Sequence, residues 1–281
     1  MPEQHTGSMR VMSIMAHQDD FELTAGGTFA ALRQAYGDRV QMRVLTTTRG
    51  ASGHHQISSE ETFRRREAEA RSSAALIGAD YECLVCLDGS HLHGQVFVDR
   101  NVCGGLWNAI RDFEPDVVFC PPVPQDPLAG VHIDHCNTAL AIRLIAYQLI
   151  VPNAYPTMNG PVKTRFRQPL IVNVDDGYSE EAAFHIRQDV RGTYERKLEM
   201  FLCHESQAFE WLPFTYGYDR PWDRDEAIAH VAKRHQKMNE RYGQADDIPS
   251  EYFRITRWAR EPEPGEIERV FPQMLATRYT G

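Results

Sequence analysis

Arg10-Val11-Met12-Ser13-Ile14-Met15-Ala16-His17-Gln18-Asp19-Asp20 is an apolar run that ends in a histidine and two carboxylates. The run over 10–15 is too short for a helix and reads as a strand buried on both faces. Residues 21–36 carry apolar side chains at helical spacing, so 17–20 become the loop that hands the strand to the helix. The alternation continues outward, with strands over 40–47, 81–86 and 116–120 and helices over 60–77, 101–112 and 132–149. This order predicts an α/β fold, Rossmann-like, with a mostly parallel sheet and helices on both faces. Gly26-Gly27 fall inside the predicted helix 21–36 and no Gly-x-Gly-x-x-Gly occupies the first turn, so no dinucleotide is expected.

A second cluster, His132-Ile133-Asp134-His135, opens the helix 132–149 after the strand 116–120 and a Pro-rich loop over 121–127. In an open α/β sheet the loops leaving the carboxyl ends of parallel strands converge on one crevice, so the two clusters are expected to meet. An Asp pair after a strand ordinarily caps a helix, and a lone His-x-Asp-His is ordinarily a solvated helix start. Both together at one end of a sheet point instead to a metal site. Zinc hydrolases draw three ligands from His and Asp/Glu and leave the fourth position to water, and His17, Asp20 and His135 supply that set. Another divalent transition metal would suit the same donors. Asp19, beside a ligand but aimed elsewhere, suits a general base acting on the metal-bound water. His132 suits a proton donor to the leaving group or an oxyanion stabiliser, and Asp134 a partner that fixes a histidine's tautomer.

These motifs carry a family resemblance. Ala16-His17-Gln18-Asp19-Asp20 is similar to the Ala-His-Pro-Asp-Asp signature of the PIG-L/LmbE-type N-acetylglucosamine deacetylase superfamily, and His132 to His135 resembles its second, His-Pro-Asp-His-like signature. Leu45-Thr46-Thr47-Thr48-Arg49-Gly50 looks like the Thr-Arg-Gly loop, Arg66 to Glu69 with Ile77-Gly78 like the helix after it, and Asp88-Gly89 like the Asp-Gly. Lys197 with His204-Glu205-Ser206-Gln207 resembles the late Lys…His-x-Ser-Gln element, so the likeness spans about 10–210. It implies zinc-dependent removal of an acyl group, usually acetyl, from an amino sugar. His17, Asp20 and His135 would be ligands, Asp19 the base and His132 the acid or oxyanion stabiliser. Arg49, Arg66, Asp88 and His204 become candidate substrate contacts, and His54 and His55 line the same loop as Arg49. Gln18 replaces the usual proline and Ala51 a common glutamate.

Length and composition fit one large domain over 1–281, with a core over about 10–210 and a C-terminal extension over about 211–281. The chain has 281 residues, 42% of them hydrophobic, and a formal net charge of -9. With no dense basic block beyond Arg64-Arg65-Arg66, a nucleic-acid partner is not expected. No leader or 18-residue apolar stretch is read, so no transmembrane segment and a cytoplasmic location are expected. The six cysteines, Cys83-x-x-Cys86 included, read as core packing.

Past residue 150 the reading is a connection over 151–168, a strand over 169–174, a helix over 179–203 and an amphipathic helix over 223–241 with Arg234-His235 on its solvated face. The aromatic stretch 209–218 suits packing or stacking on a sugar ring. The tail over 261–281 is compatible with packing on a neighbouring copy in a homo-oligomer. The expected partner is a small-molecule amino-sugar substrate; alternatives are an amidase for a thiol conjugate and a sugar-binding protein without catalysis. Loops 49–60, 87–99 and 121–131 are expected to wall the pocket.

Overall fold

The first apolar run forms β1 (Met9–Met15), with every residue except Arg10 buried. In the computed structural model, which describes residues 8–124, 130–177 and 184–279, β1 lies inside an eight-stranded sheet. On one side it pairs in parallel with β2 (Val40–Thr46), which pairs with β3 (Asp80–Cys83). On the other it pairs with β4 (Val117–Cys120), which pairs with β5 (Leu170–Val174). Three antiparallel strands complete the sheet: β6 (Ile186–Asp189), β7 (Ser250–Ile255) and β8 (Met274–Thr277). The order is β3-β2-β1-β4-β5-β7-β6-β8, so the late strand β7 is inserted beside β5.

Side chains alternate across β1, sending Val11 and Met15 into one core and Met12 and Ile14 into the other. The first core is covered by α1 (Asp20–Thr24), α2 (Gly26–Tyr36) and α3 (Ser59–Ala75). The second is covered by α4 (Arg100–Phe113) and α5 (Ile133–Ile145). Ser58 caps α3 by accepting from the Glu61 amide, and Asp99 caps α4 by accepting from Val102 at 2.9 Å. Later come α6 (Tyr194–Leu202), α7 (Leu212–Thr215), α8 (Arg224–Arg241) and α9 (Glu266–Val270). No helix among the described residues is long and apolar enough to cross a membrane.

The structure corrects several expectations. The helix expected over 21–36 is broken at Ala25, where φ is -141°. Gly26 and Gly27 start α2, with no room for side chains: a Cβ on Gly27 would lie 2.7 Å from Val190 Cγ1. The break exposes a helix N-terminus, and the Glu251 carboxylate from β7 accepts from the Gly27 and Thr28 amides at 2.9 and 2.8 Å. Apolar periodicity runs through the break and hides it. The helix expected over 179–203 is in its described part β6 followed by α6, because pairing with β7 and β8 overrides the charged, helix-like composition of residues 186–189. His235 is buried, its Nδ1 2.9 Å from the Ser250 carbonyl, rather than on a solvated face. In the tail, Val270 and Phe271 are buried in the chain's own core. Residues 125–129 of the expected wall 121–131, residues 179–183 of the expected helix and residues 280–281 of the tail lie outside the described residues.

Candidate metal centre and active site

Both clusters leave the carboxyl ends of neighbouring parallel strands, His17 to Asp20 after β1 and His132 to His135 beyond β4, and they meet as the topology requires. Asp20 is central. Its Oδ2 accepts from the His17 amide at 2.7 Å and lies 3.5 Å from His17 Nδ1 and 3.3 Å from His135 Nε2. Two donors about 2.0–2.1 Å from a tetrahedral ion are separated by about 3.3–3.4 Å, so these spacings match the donor shell of zinc or a similar ion. The outer nitrogens are also held: His17 Nε2 lies 3.1 Å from Asp134 Oδ2, and His135 Nδ1 lies 3.2 Å from Asp176 Oδ2.

Electrostatics point the same way. Burial works against charge on His135, yet Asp20 and Asp176 outweigh it and push the imidazole up to about 10. His17 is raised too, its burial overcome by Asp20 and Asp134. Burial would raise the Asp20 carboxyl, but the two histidines hold it well below the usual range. Three carboxylates around two imidazoles make a potential that favours a cation at the centre. His17, Asp20 and His135 therefore fit a divalent ion by spacing, donor type and charge.

Asp19 stands beside this set but turns away. Its Oδ1 accepts from Arg66 Nη2 at 2.6 Å, and among the described residues no donor reaches Oδ2. Arg66 is buried, and its Nη1 also donates to the Gly50 carbonyl at 3.2 Å. His132 is the N-cap of α5 rather than part of its first turn, and its Nδ1 accepts from the Asp134 amide at 3.2 Å. That bond selects the neutral tautomer with hydrogen on Nε2, and burial together with His17 and His135 lowers the ring's pKa in support. The His132 ring centroid lies 4.8 Å from that of His17 and 5.1 Å from that of His135. Asp134 Oδ1 accepts from the Val96 amide at 2.5 Å, so loop 87–99 reaches the site as expected.

The expected substrate contacts divide. Arg49 is half-buried, its guanidinium 4.0 Å over the Phe63 ring. Arg66 faces Asp19 rather than open space. Asp88 is exposed and engaged by Ser90 of its own loop and by Asn101 at the start of α4. His204 is fully buried, with Nε2 3.0 Å from Glu22 Oε1, so it lies behind α1 and does not line the site. His54 pairs with Glu210 at 2.9 Å, and His55 stacks on Phe214 with centroids 4.0 Å apart. Asp176 was not singled out from the sequence. Its signal was present: Asp175-Asp176-Gly177 follows β5 as Asp19-Asp20 follow β1, an acidic pair at the carboxyl end of a parallel strand.

Residues 12–146 match the family described as PIG-L, GlcNAc-PI de-N-acetylase. The chain carries a PIG-L-family domain. That domain spans both motifs, and it is the domain of a deacetylase-type hydrolase. No curated protein matches the chain. Among solved structures it resembles the N,N'-diacetylchitobiose deacetylase of Pyrococcus horikoshii at 21% identity, covering 89% of this chain and 85% of that one, with a TM-score of 0.66. It also resembles the 4-carboxy-2-hydroxymuconate hydratase GalB of Pseudomonas putida KT2440 at 17% identity, covering 91% and 98%, with a TM-score of 0.59. The A40926 pseudoaglycone deacetylase Dbv21 gives 17% identity, coverage of 90% and 99%, and a TM-score of 0.56. At these identities the likeness concerns the fold, which serves deacetylases and a hydratase alike.

Proposed function

We propose that this PIG-L-family chain is a zinc-dependent deacetylase that hydrolyses the N-acetyl amide of an amino sugar or N-acetylglucosaminyl conjugate. One observation carries the reading: Asp20 joins His17 and His135 at metal-donor spacing while Arg66 holds Asp19 beside them. A bound divalent ion would polarise the amide carbonyl and lower the pKa of water to about 7.

The protein's groups supply the rest. Asp19 takes a proton from the attacking water through Oδ2, while Arg66 fixes the carboxylate through Oδ1. His132, neutral with hydrogen on Nε2, donates to the oxygen that gains charge as the amide carbon becomes tetrahedral. The proton then reaches the departing nitrogen, the amine leaves, and acetate remains. Asp134 and Asp176 act through His17 and His135, fixing ring orientation and tautomer. Arg49 is the remaining candidate for a substrate contact from loop 49–60.

The test is free-amine release from a panel of N-acetylglucosaminyl compounds by zinc-loaded protein, with Asp19→Asn as control. Release that vanishes in the variant supports the reading. Metal-loaded wild type that releases no amine from any member overturns it.

A further inference from the structure

A second concave feature lies along α8, outside the His17 cluster. It is a cleft of about 630 Å³, within the range of small-molecule sites. One wall is aromatic, formed by Tyr216, Tyr218 and Trp222, and the other is the exposed face of α8. Positions 230, 233, 234, 237 and 241 recur at helical i, i+3 and i+4 spacing, so His230, Lys233, Arg234, Lys237 and Arg241 point the same way. Four of them are permanent cations, on a chain whose net charge is -9.

The cations differ in what they already hold. Arg234 donates to the Asp175 carbonyl at 2.8 Å, and Arg241 lies 3.4 Å from Asp175 Oδ1. Glu226, the acidic group on this wall, is engaged by Arg220 at 2.6 Å. Lys233 and Lys237 are exposed, and among the described residues neither has a carboxylate within ion-pair reach. Tyr216 is 62% exposed and Tyr218 48%, and Tyr216 stacks on Trp222 with centroids 5.9 Å apart. His230 reports the local field: burial and the charges of Arg234, Lys237 and Lys233 push its imidazole down to about 4.

We propose that this cleft binds an anionic saccharide, a sugar carrying phosphate or carboxylate, with Lys233 and Lys237 on the anion and Tyr216 and Tyr218 against the ring. Ammonium groups suit a phosphate or carboxylate, and flat aromatic faces suit the apolar face of a pyranose. Gly177, which lines the cleft, is next in sequence to Asp176, whose carboxylate holds His135. A sugar bound here therefore sits against the segment that supports the metal cluster, but binding requires no turnover there.

Calorimetric titration of the full-length, zinc-loaded chain with glucose 1-phosphate tests the site, because that sugar has no acetyl group and is bound without being a deacetylation substrate. Glucose, inorganic phosphate and adenosine monophosphate are the separate arms. Glucose 1-phosphate is expected to bind at least about tenfold more tightly than glucose or phosphate alone, and Lys233→Glu/Lys237→Glu to weaken it by about tenfold. Tyr216→Ala should weaken the sugar phosphate while leaving inorganic phosphate unchanged. Equal affinity in wild type and the double variant overturns the site, as does inorganic phosphate matching the sugar phosphate. Preference for adenosine monophosphate over the sugar phosphate overturns the saccharide assignment. None of these results depends on amine release.

Discussion

Arg66 donates from Nη2 to Asp19 Oδ1 at 2.6 Å and from Nη1 to the Gly50 carbonyl at 3.2 Å, so one buried guanidinium ties the loop after β1 to the loop after β2. Gly50 makes the approach possible. Its φ is +59°, and a Cβ there would lie 2.6 Å from Arg66 Nη1. Asp19 thus depends on α3 for its orientation. Arg66→Gln should retain the metal and lower turnover by about 10²-fold, the scale of a misplaced catalytic group. Asp19→Asn, which removes the base itself, should cost about 10²- to 10⁴-fold, also with metal retained. Amine-release rates beside metal stoichiometry check both. Loss of metal from Asp19→Asn would make Asp19 a ligand and undo the assignment.

Asp176 lies 3.2 Å from His135 Nδ1, on the side of the ring away from Asp20. Removing its charge leaves three donors in place but loosens one. Asp176→Asn is expected to weaken metal binding by about 10- to 100-fold, whereas His135→Ala, which deletes a donor, should weaken it further. Competition with a chelator of known affinity measures both. Identical affinities for Asp176→Asn and wild type would show that the carboxylate does not support the ring.

The parts of this architecture that were legible in the sequence are those set by local pattern. Buried strands show as short apolar runs, and both motifs sit where strands end, which is enough to bring His17 and His135 together through parallel topology. What stayed hidden depends on distant partners. The break at Ala25 exists because Glu251, more than 220 residues later, binds the N-terminus of α2. β6 reads as helix until β7 pairs with it. His204 looked available because a helix end was expected beside it, but Glu22 takes it into the interior.

The α2 N-terminus also gives a stability prediction. Glu251 accepts from the Gly27 and Thr28 amides, the Thr28 hydroxyl and Lys197 Nζ, the last at 2.6 Å with both side chains buried. Glu251→Leu strands a buried ammonium and two helix amides and should cost about 3–5 kcal/mol. Lys197→Met leaves Glu251 its three other donors and should cost less. Urea unfolding of both variants tests the order. A larger loss for Lys197→Met would mean that the cation, not the helix terminus, holds the carboxylate in place.

His230 carries the pH dependence. Burial, with Arg234, Lys237 and Lys233 beside it, lowers its pKa from 6.5 to about 4. Between those values the unfolded chain binds the proton more readily than the folded one, so folding stability from this residue rises with pH. The contribution is complete above about 6.5 and is lost as pH falls toward 4. In wild type other groups titrate over the same interval, so the informative quantity is a difference. His230→Phe, which keeps a ring against Trp222 and Tyr216, should unfold with a shallower pH dependence than wild type between pH 4 and 6.5. Parallel pH profiles would show that His230 protonates equally in the folded and unfolded chains.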